Sequence, residues 1–155
     1  MTEPVAEEII QKIGQAAELY NRLILVVGLT GTGKTTVLQD VHQSTGAPLI
    51  NVNLLLSRQM LELTQRQRAL QLPRLLSEIV TAANTDVILF DNIEMLFDVL
   101  LQQDPLRLLL GLSRNTTIVA AWNGNTDNQY LTYASPDHPE YHRYPLRDFL
   151  LVSLQ

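Results

Sequence analysis

The chain alternates short apolar runs with longer stretches in which apolar residues recur every three or four positions. Consecutive apolar residues are typical of strands buried on both faces, and a spacing of three or four is typical of amphipathic helices. Strands are predicted for residues 22–27, 48–53, 86–91, 116–122 and 149–154, and helices for 4–20, 33–44, 54–72, 74–83, 96–100 and 105–112. This alternation predicts an α/β fold, a three-layer sandwich with a mostly parallel sheet and helices on both faces.

Glycine and proline residues mark several expected element ends. Gly46 stands where the C-cap of the second helix is expected. Pro73 has no backbone N–H to donate, so the helical pattern is expected to break or kink there. Asparagine, aspartate, serine and proline punctuate residues 125–139, and this segment is predicted to form turns.

Composition excludes several kinds of chemistry. The 155 residues are consistent with a single domain, 1–155, and 46% of them are hydrophobic, as is ordinary for a globular α/β core. The absence of cysteine excludes disulfides, thiolate metal sites and thiol catalysis. The acidic start lacks the layout of a signal peptide, and no apolar run is long enough to span a membrane. A soluble, cytoplasmic protein without a membrane partner is expected.

The first predicted strand runs into a glycine-rich segment, Gly28–Thr35, that matches the phosphate-binding pattern GxxxxGK followed by Ser or Thr. Glycines allow successive backbone N–H groups to point at a phosphate, and the following helix adds its positive N-terminal end. Lys34 is expected to reach the β and γ phosphates of ATP, and the Thr35 hydroxyl to ligate Mg²⁺. The expected nucleotide-binding residues are Gly28, Thr30, Gly31, Thr32, Gly33, Lys34, Thr35 and Thr36.

Polar residues follow the third and fourth predicted strands. Because ligands bind at the carboxyl ends of parallel strands, Asp91 and Asn123 are expected to lie beside the phosphate loop. Asp91 is predicted to hold Mg²⁺ through water; the alternative is an aspartate that serves the turn at a strand end. Asn123 is expected either to hydrogen-bond the γ-phosphate or the attacking water, or only to form the turn before Gly124.

The residue that activates the attacking water is less directly indicated. In many ATPases with this loop a glutamate immediately follows the Mg²⁺-binding aspartate, but here that position is Asn92. Glu94 lies within one helical turn if a helix starts at once, and a carboxylate can polarise water in line with the γ-phosphate. Glu94 is therefore the candidate base. The alternative is a glutamate that the helix dipole favours at a helix start.

Arginines are concentrated in one helical region. Between Ser57 and Arg74 the chain has a single glutamate, Glu62, and four arginines, which are Arg58, Arg66, Arg68 and Arg74. A solvated helix face is one interpretation, and a contact surface for DNA or a partner chain is the other. The net charge of −5 argues against coating of DNA by the whole surface, though not against such a local patch.

The order of phosphate loop, Asp91 and Asn123 resembles the core of the AAA+ ATPases over residues 20–125. The resemblance implies that Asn123 is the sensor-1 residue. Asn92 departs from the family's glutamate, and the chain ends without the helical lid domain, so no sensor-2 arginine can be assigned. The expected fold is an AAA+-like core without the helical lid.

Over its whole length the chain also resembles the BrxF family, small P-loop proteins of some bacteriophage exclusion (BREX) systems. The motifs that carry this resemblance are PLINVN at 48–53, LFDNIE at 89–94, AWNG at 121–124 and HPEY at 138–141. The resemblance implies a role in phage defence together with other BREX proteins, among them larger ATPases and a DNA methyltransferase.

These patterns favour a Mg²⁺-dependent ATPase that acts as a nucleotide switch or small motor. The alternative, which Asn92 favours, is a regulatory or scaffolding module that binds nucleotide without hydrolysing it. A small-molecule kinase is a third function that these patterns favour less. Self-assembly on ATP binding is expected, with an arginine from a neighbouring subunit completing the site. Arg143 is the candidate because it lies between the fourth strand and the closing apolar segment, where AAA+ proteins commonly carry theirs. Its alternative is a surface residue among aromatic neighbours.

Overall fold

The computed structural model describes residues 3–154. The helices are α1 Glu3–Ala16, α2 Lys34–Thr45, α3 Val52–Gln59, α4 Gln65–Ala83 and α5 Pro105–Leu112, with two short 3-10 helices, Glu94–Phe97 and Val99–Leu101. The strands are β1 Leu23–Gly28, β2 Leu49–Asn51, β3 Val87–Asp91, β4 Thr117–Thr126, β5 Tyr130–Tyr133, β6 His142–Pro145 and β7 Leu150–Ser153.

Five strands form a parallel sheet in the order β2-β3-β4-β1-β7. β1 lies between β4 and β7, and its last residue, Gly28, is paired with Asn123 of β4. β3 ends at Asp91, which is paired with Asn51 of β2. The carboxyl ends of these strands therefore meet at the edge of the sheet where the glycine-rich loop begins, which is where parallel α/β sheets bind ligands.

Helices cover both faces of this sheet. All six residues of β1 are buried, and alternate ones point to opposite faces. Ile24 and Val26 belong to a core cluster shared with α1 and α2, whereas Leu23, Leu25 and Val27 belong to a second cluster shared with α3, α4 and α5. The predicted three-layer α/β sandwich with a mostly parallel sheet is confirmed.

Helix α4 runs through Pro73 without interruption, so the predicted break at this proline is wrong. A proline inside a helix lacks the N–H that would bond the carbonyl four residues earlier. That carbonyl belongs to Ala69, and it accepts a hydrogen bond from Gln103 Nε2 at 2.8 Å. A side chain from outside the helix thus takes the place of the missing backbone donor.

The predicted helix over residues 54–72 is instead divided nearer its start. α3 begins at Val52, inside the predicted second strand, and ends at Gln59. α4 then begins with a capping box: the Thr64 hydroxyl accepts from Gln67 N at 3.2 Å, and Gln67 Oε1 accepts from Thr64 N at 2.9 Å. This local signal for a helix start lies within the pattern that predicted one continuous helix.

The segment predicted to form turns contains an antiparallel unit of three strands. β4 continues to Thr126, β5 pairs with its second half, and β6 pairs with β5. Trp122 Nε1 donates to Thr132 O at 3.1 Å, and a Cβ on Gly124 would meet the same carbonyl. Asn123 is thus not at the end of its strand; it is the last β4 residue that pairs with β1.

Other differences are smaller. α1 ends at Ala16, and Tyr20, placed on the predicted helix, is exposed. The helical stretch predicted at 96–100 consists of the two 3-10 helices. Gly46 adopts φ 76° and caps α2 as predicted, and β7 matches the predicted closing strand. No helix within residues 3–154 is long and apolar enough to cross a membrane.

Candidate nucleotide-binding site

The loop between β1 and α2 has the backbone shape that its glycines allow. Gly31 and Gly33 have φ values of 88° and 97°, in the left-handed region that side chains disfavour. A Cβ on Gly28 would collide with the Thr32 hydroxyl, which donates to Leu29 O at 2.7 Å. Substituting these glycines would therefore deform the loop that precedes the N-terminus of α2.

The amine of Lys34 lies inside this loop. Lys34 Nζ donates to Gly28 O at 2.7 Å and to Leu29 O at 2.8 Å, and the residue is buried. Burial lowers the pKa of Lys34, against the opposing effect of the Glu94 and Asp91 carboxylates. The lysine is thus held at the loop by backbone carbonyls and faces two carboxylates.

Thr35 and Asp91 form a pair that joins the start of α2 to the end of β3. The Thr35 hydroxyl donates to Asp91 Oδ2 at 2.6 Å, and Asp91 Oδ1 accepts from Asn92 N at 2.9 Å. Mg²⁺ prefers hard oxygen ligands and usually keeps several waters, with one or two protein oxygens and the phosphates completing its shell. A hydroxyl and a carboxylate fit this ion, although residues 3–154 contain no group of three acidic, histidine or cysteine side chains suited to a metal.

Glu94 opens the first 3-10 helix, and both of its carboxylate oxygens accept hydrogen bonds. Asn123 Nδ2 donates to Oε2 at 3.0 Å, and Asn53 Nδ2 donates to Oε1 at 3.3 Å. Burial raises the pKa of Glu94, the nearby Asp91 charge adds to this, and the hydrogen bond from Asn53 opposes it. The structure therefore brings Glu94 and Asn123 into direct contact, which joins the first 3-10 helix to the middle of β4.

Asn53 is the site residue that sequence reasoning missed. Besides contacting Glu94, it accepts from Met95 N through Oδ1 at 2.9 Å and donates its backbone N–H to Asn92 O at 2.9 Å. It therefore links the start of α3 to the segment that carries the candidate base. Its signal was a polar residue at the end of the predicted strand 48–53, as Asp91 ends the predicted strand 86–91.

These residues surround a cleft of about 410 Å³. Its lining residues are Thr30, Gly31, Gly33, Lys34, Thr35, Asp91, Asn92, Glu94, Ala121 and Asn123. Of the predicted site residues, Gly28, Thr32, Thr36 and Arg143 are not among them. Gly28 and Thr32 shape the loop from outside the cleft, and Thr36 is exposed on α2. The cleft thus combines a cationic lysine, a hydroxyl–carboxylate pair and a second carboxylate.

The predicted arginines lie away from this cleft. Arg143 is exposed on β6, and its guanidinium lies 3.8 Å from the ring centre of Tyr130. In the helical cluster, Arg74 forms an ion pair with Glu78 at 2.6 Å, and Arg68 Nε donates to Leu63 O. The other two members of the cluster, Arg58 and Arg66, are exposed.

Comparison with known proteins identifies the core of the chain. The model of the ATPase family associated with various cellular activities (AAA) matches residues 24–120. A structure of Drosophila ORC bound to DNA is 20% identical with a TM-score of 0.49, and one of C. elegans PCH-2 is 17% identical with a TM-score of 0.44. Each match covers 98% of this chain but only 42% of the other, so the chain spans less than half of either neighbour. No curated protein matches the sequence.

Proposed function

The chain belongs to the AAA family of ATPases, and on that premise we propose that it binds ATP with Mg²⁺ and hydrolyses it in the cleft at the carboxyl ends of β1, β3 and β4. The observation that carries the proposal is the contact between Glu94 and Asn123, in the same cleft as Lys34. A base, a residue that senses the terminal phosphate and a phosphate-binding cation are the parts that phosphoryl transfer to water requires.

Each polar group has a distinct role in this proposal. Lys34 exchanges its two loop carbonyls for the β and γ phosphates when nucleotide enters. Thr35 and Asp91 hold Mg²⁺, which neutralises charge on the phosphate oxygens. Glu94 accepts a proton from the attacking water, and Asn123 fixes the direction of that carboxylate. The nearby aspartate charge and the burial that raise the pKa of Glu94 also make it a better proton acceptor.

Asn92 favours the alternative, a module that binds nucleotide without useful turnover. It stands where many such ATPases have their glutamate, and its φ of 54° is in a region that asparagine tolerates better than glutamate does. The proposal replaces that glutamate with Glu94, which reaches the cleft from the start of the 3-10 helix. Nucleotide binding with no phosphate release under any condition would favour the alternative.

The direct test is nucleotide binding and phosphate release by purified protein, alone and with DNA, across a protein concentration series. Lys34→Ala removes the cation from the cleft and is expected to abolish ATP binding by calorimetry while the far-UV circular dichroism spectrum stays unchanged. Lys12→Ala, at a partly exposed ion pair of α1, is the control for loss of a lysine. Unchanged ATP affinity in Lys34→Ala would refute the assignment of the cleft.

We further propose that ATP binding favours self-assembly and that Arg143 of a neighbouring subunit completes the site. Support comes from its exposure on β6 and from its absence from the lining of its own cleft. A trans arginine adds on the order of 10³ to 10⁵ in rate in this class of reaction. Mixing Arg143→Ala with Lys34→Ala protein should restore some turnover, because an intact cleft then meets an intact arginine. Parent-like activity of Arg143→Ala alone would end this proposal.

On the resemblance to the BrxF family, we propose that this activity serves phage defence in the cytoplasm, beside other BREX proteins. The arginine cluster is the proposed contact surface for DNA or a partner. Arg58→Glu with Arg66→Glu changes its two members for which residues 3–154 offer no hydrogen bond or ion pair, and should weaken DNA binding in a salt-dependent way. Arg107→Glu, on exposed α5 surface, is the matched control. No DNA binding by the parent at low salt would leave a protein partner.

A further inference from the structure

A second cavity, of about 550 Å³, lies between the glycine-rich loop and the antiparallel unit. Its volume is within the range of small-molecule sites. The loop contributes Leu29 and Thr30, and the remaining lining residues come from β4, β5 and the connection to β6. They are Asn123, Gly124, Asn125, Thr132, Tyr133, Ala134, Ser135, Pro136, His138, Glu140 and Tyr141. The nucleotide proposal leaves this space without a function.

The lining of the second cavity suits a cation. It contains side-chain hydroxyls, amides, the imidazole of His138 and one carboxylate, that of Glu140, and no lysine or arginine. Within residues 3–154, no hydrogen bond or ion pair engages the Glu140 carboxylate, although its backbone N–H donates to His138 Nδ1. Tyr133 and Tyr141 add aromatic rings. Acceptor oxygens, a carboxylate and aromatic faces together favour a planar cation that donates several hydrogen bonds.

Tyr133, in the wall of the second cavity, is affected by two carboxylates. Its ring is stacked on Phe97 at 3.5 Å between centroids, with the planes 7° apart. Burial, together with the charges of Glu94 and Glu140, raises the pKa of Tyr133 to about 12. The side chain therefore lies in the combined field of one carboxylate from each cavity. A cation placed there would be attracted by both.

We propose that the second cavity is a binding site for a guanidinium group, held by the Glu140 carboxylate and the ring of Tyr141 or Tyr133. Thr30 and Asn123 line both cavities, so the bound group lies next to the cleft proposed for ATP. Binding of the guanidinium group does not depend on the proposed hydrolysis of ATP. An effect of the bound guanidinium on a nucleotide in the neighbouring cleft rests on the proposed function.

The guanidinium has two sources, a free arginine-like molecule or an arginine side chain of a second copy. The chain's own Arg143 does not fill the cavity, because it is not among the lining residues and lies over Tyr130. A second copy that presents its Arg143 would supply the same group in trans. The two sources are separated by asking whether occupancy depends on protein concentration.

The chain's one tryptophan reports on the cavity without any enzymatic assay. Trp122 is fully buried, its Nε1 donates to Thr132 O at 3.1 Å, and its ring contacts that of Tyr133 edge to face. Intrinsic fluorescence is measured while argininamide is added to dilute protein without nucleotide. A saturable change is expected, with a dissociation constant on the order of millimolar for a ligand of this size. Citrullinamide carries the same α-amino group but a neutral urea of similar shape in place of the guanidinium, and is expected to give no saturable change.

Variants then identify the site. Glu140→Gln removes the charge with little change in shape and is expected to weaken argininamide binding about tenfold. Glu18→Gln, at an exposed residue between α1 and β1 that does not line the cavity, should bind like the parent. Equal responses to argininamide and citrullinamide, no saturable response, or unchanged affinity in Glu140→Gln would each overturn the proposal. Lys34→Ala should keep the response, so a failure of the ATP proposal leaves this result interpretable.

Dilution of the protein shows which of the two sources supplies the guanidinium group. If a second copy supplies the group, parent protein without added ligand shows a fluorescence change that grows with protein concentration and is absent in Arg143→Gln. Argininamide then competes with that change. If the source is a free molecule, fluorescence is independent of protein concentration, and argininamide binds the parent and Arg143→Gln alike.

Discussion

Replacing Glu94 with glutamine should separate hydrolysis from folding and from nucleotide binding. Glutamine keeps the size of the side chain but has one acceptor oxygen and one NH₂ group. In the parent, the side-chain amides of Asn123 and Asn53 donate to the Glu94 carboxylate at 3.0 Å and 3.3 Å. In the variant, one of these two amides would face a donor instead of an acceptor. Losing one such hydrogen bond costs about 0.5–1.5 kcal/mol, less if an amide turns over.

The catalytic effect should be several times larger. A general base contributes about 10²- to 10⁴-fold, which corresponds to about 3–5 kcal/mol in activation free energy. Glu94→Gln should therefore bind ATP with nearly the parent affinity and unfold within a few degrees of the parent, while phosphate release falls by at least about 10²-fold. Single-turnover phosphate release at saturating ATP measures the chemical step, calorimetry measures binding, and Glu18→Gln is the control. A rate within about threefold of the parent would show that another group is the base.

The pH dependence of turnover tests the same residue independently. Because burial raises the pKa of Glu94 above its ordinary value of 4.5, the base becomes protonated as the pH falls through that raised value, and turnover is lost there. The hydrogen bond from Asn53 lowers the same pKa, so Asn53→Ala should move the acidic limb to higher pH. An acidic limb at the same pH in Asn53→Ala as in the parent would show that Asn53 does not affect the pKa of the base.

Two further predictions concern stability. Gly124→Ala places a Cβ against the Thr132 carbonyl and should destabilise the protein by about 1–3 kcal/mol in chemical denaturation. Gly14→Ala, with open space around it in α1, should be neutral or stabilising. Equal effects of the two substitutions would contradict the packing argument. Gln103→Ala leaves the Ala69 carbonyl without its side-chain donor and should cost about 1 kcal/mol; a parent-like midpoint would mean that water replaces the donor.

The parallel core was predictable because its signals are local. A strand buried on both faces reads as an apolar run, and the residue after each run lies at the ligand-binding edge by topology alone. Gly28, Asp91 and Asn123 were located by this rule, and the structure brings their strands together at one edge. Whether they act as proposed depends on the experiments above.

The parts that sequence reasoning missed depend on contacts between distant segments. Pro73 stays inside α4 because Gln103, thirty positions later, bonds the freed carbonyl. β5 and β6 have only four residues each and are separated by turn-forming residues, so they give no clear strand pattern. They are stabilised by packing of aromatic rings such as Tyr133 on Phe97. Asn53 acquires its place only when the start of α3 meets the segment after β3.

The strand order also determines when β1 can pair during synthesis of the chain. Within residues 3–154, β1, Leu23–Gly28, pairs with β4 and β7 alone, and these strands begin at Thr117 and Leu150. A nascent chain that has reached residue 116 therefore carries an entirely apolar strand with no partner on either side. Such contacts close long loops, so they form late and leave an exposed strand prone to aggregation. On the ribosome, β1 therefore stays unpaired until β4 has been made, unless a chaperone shields it.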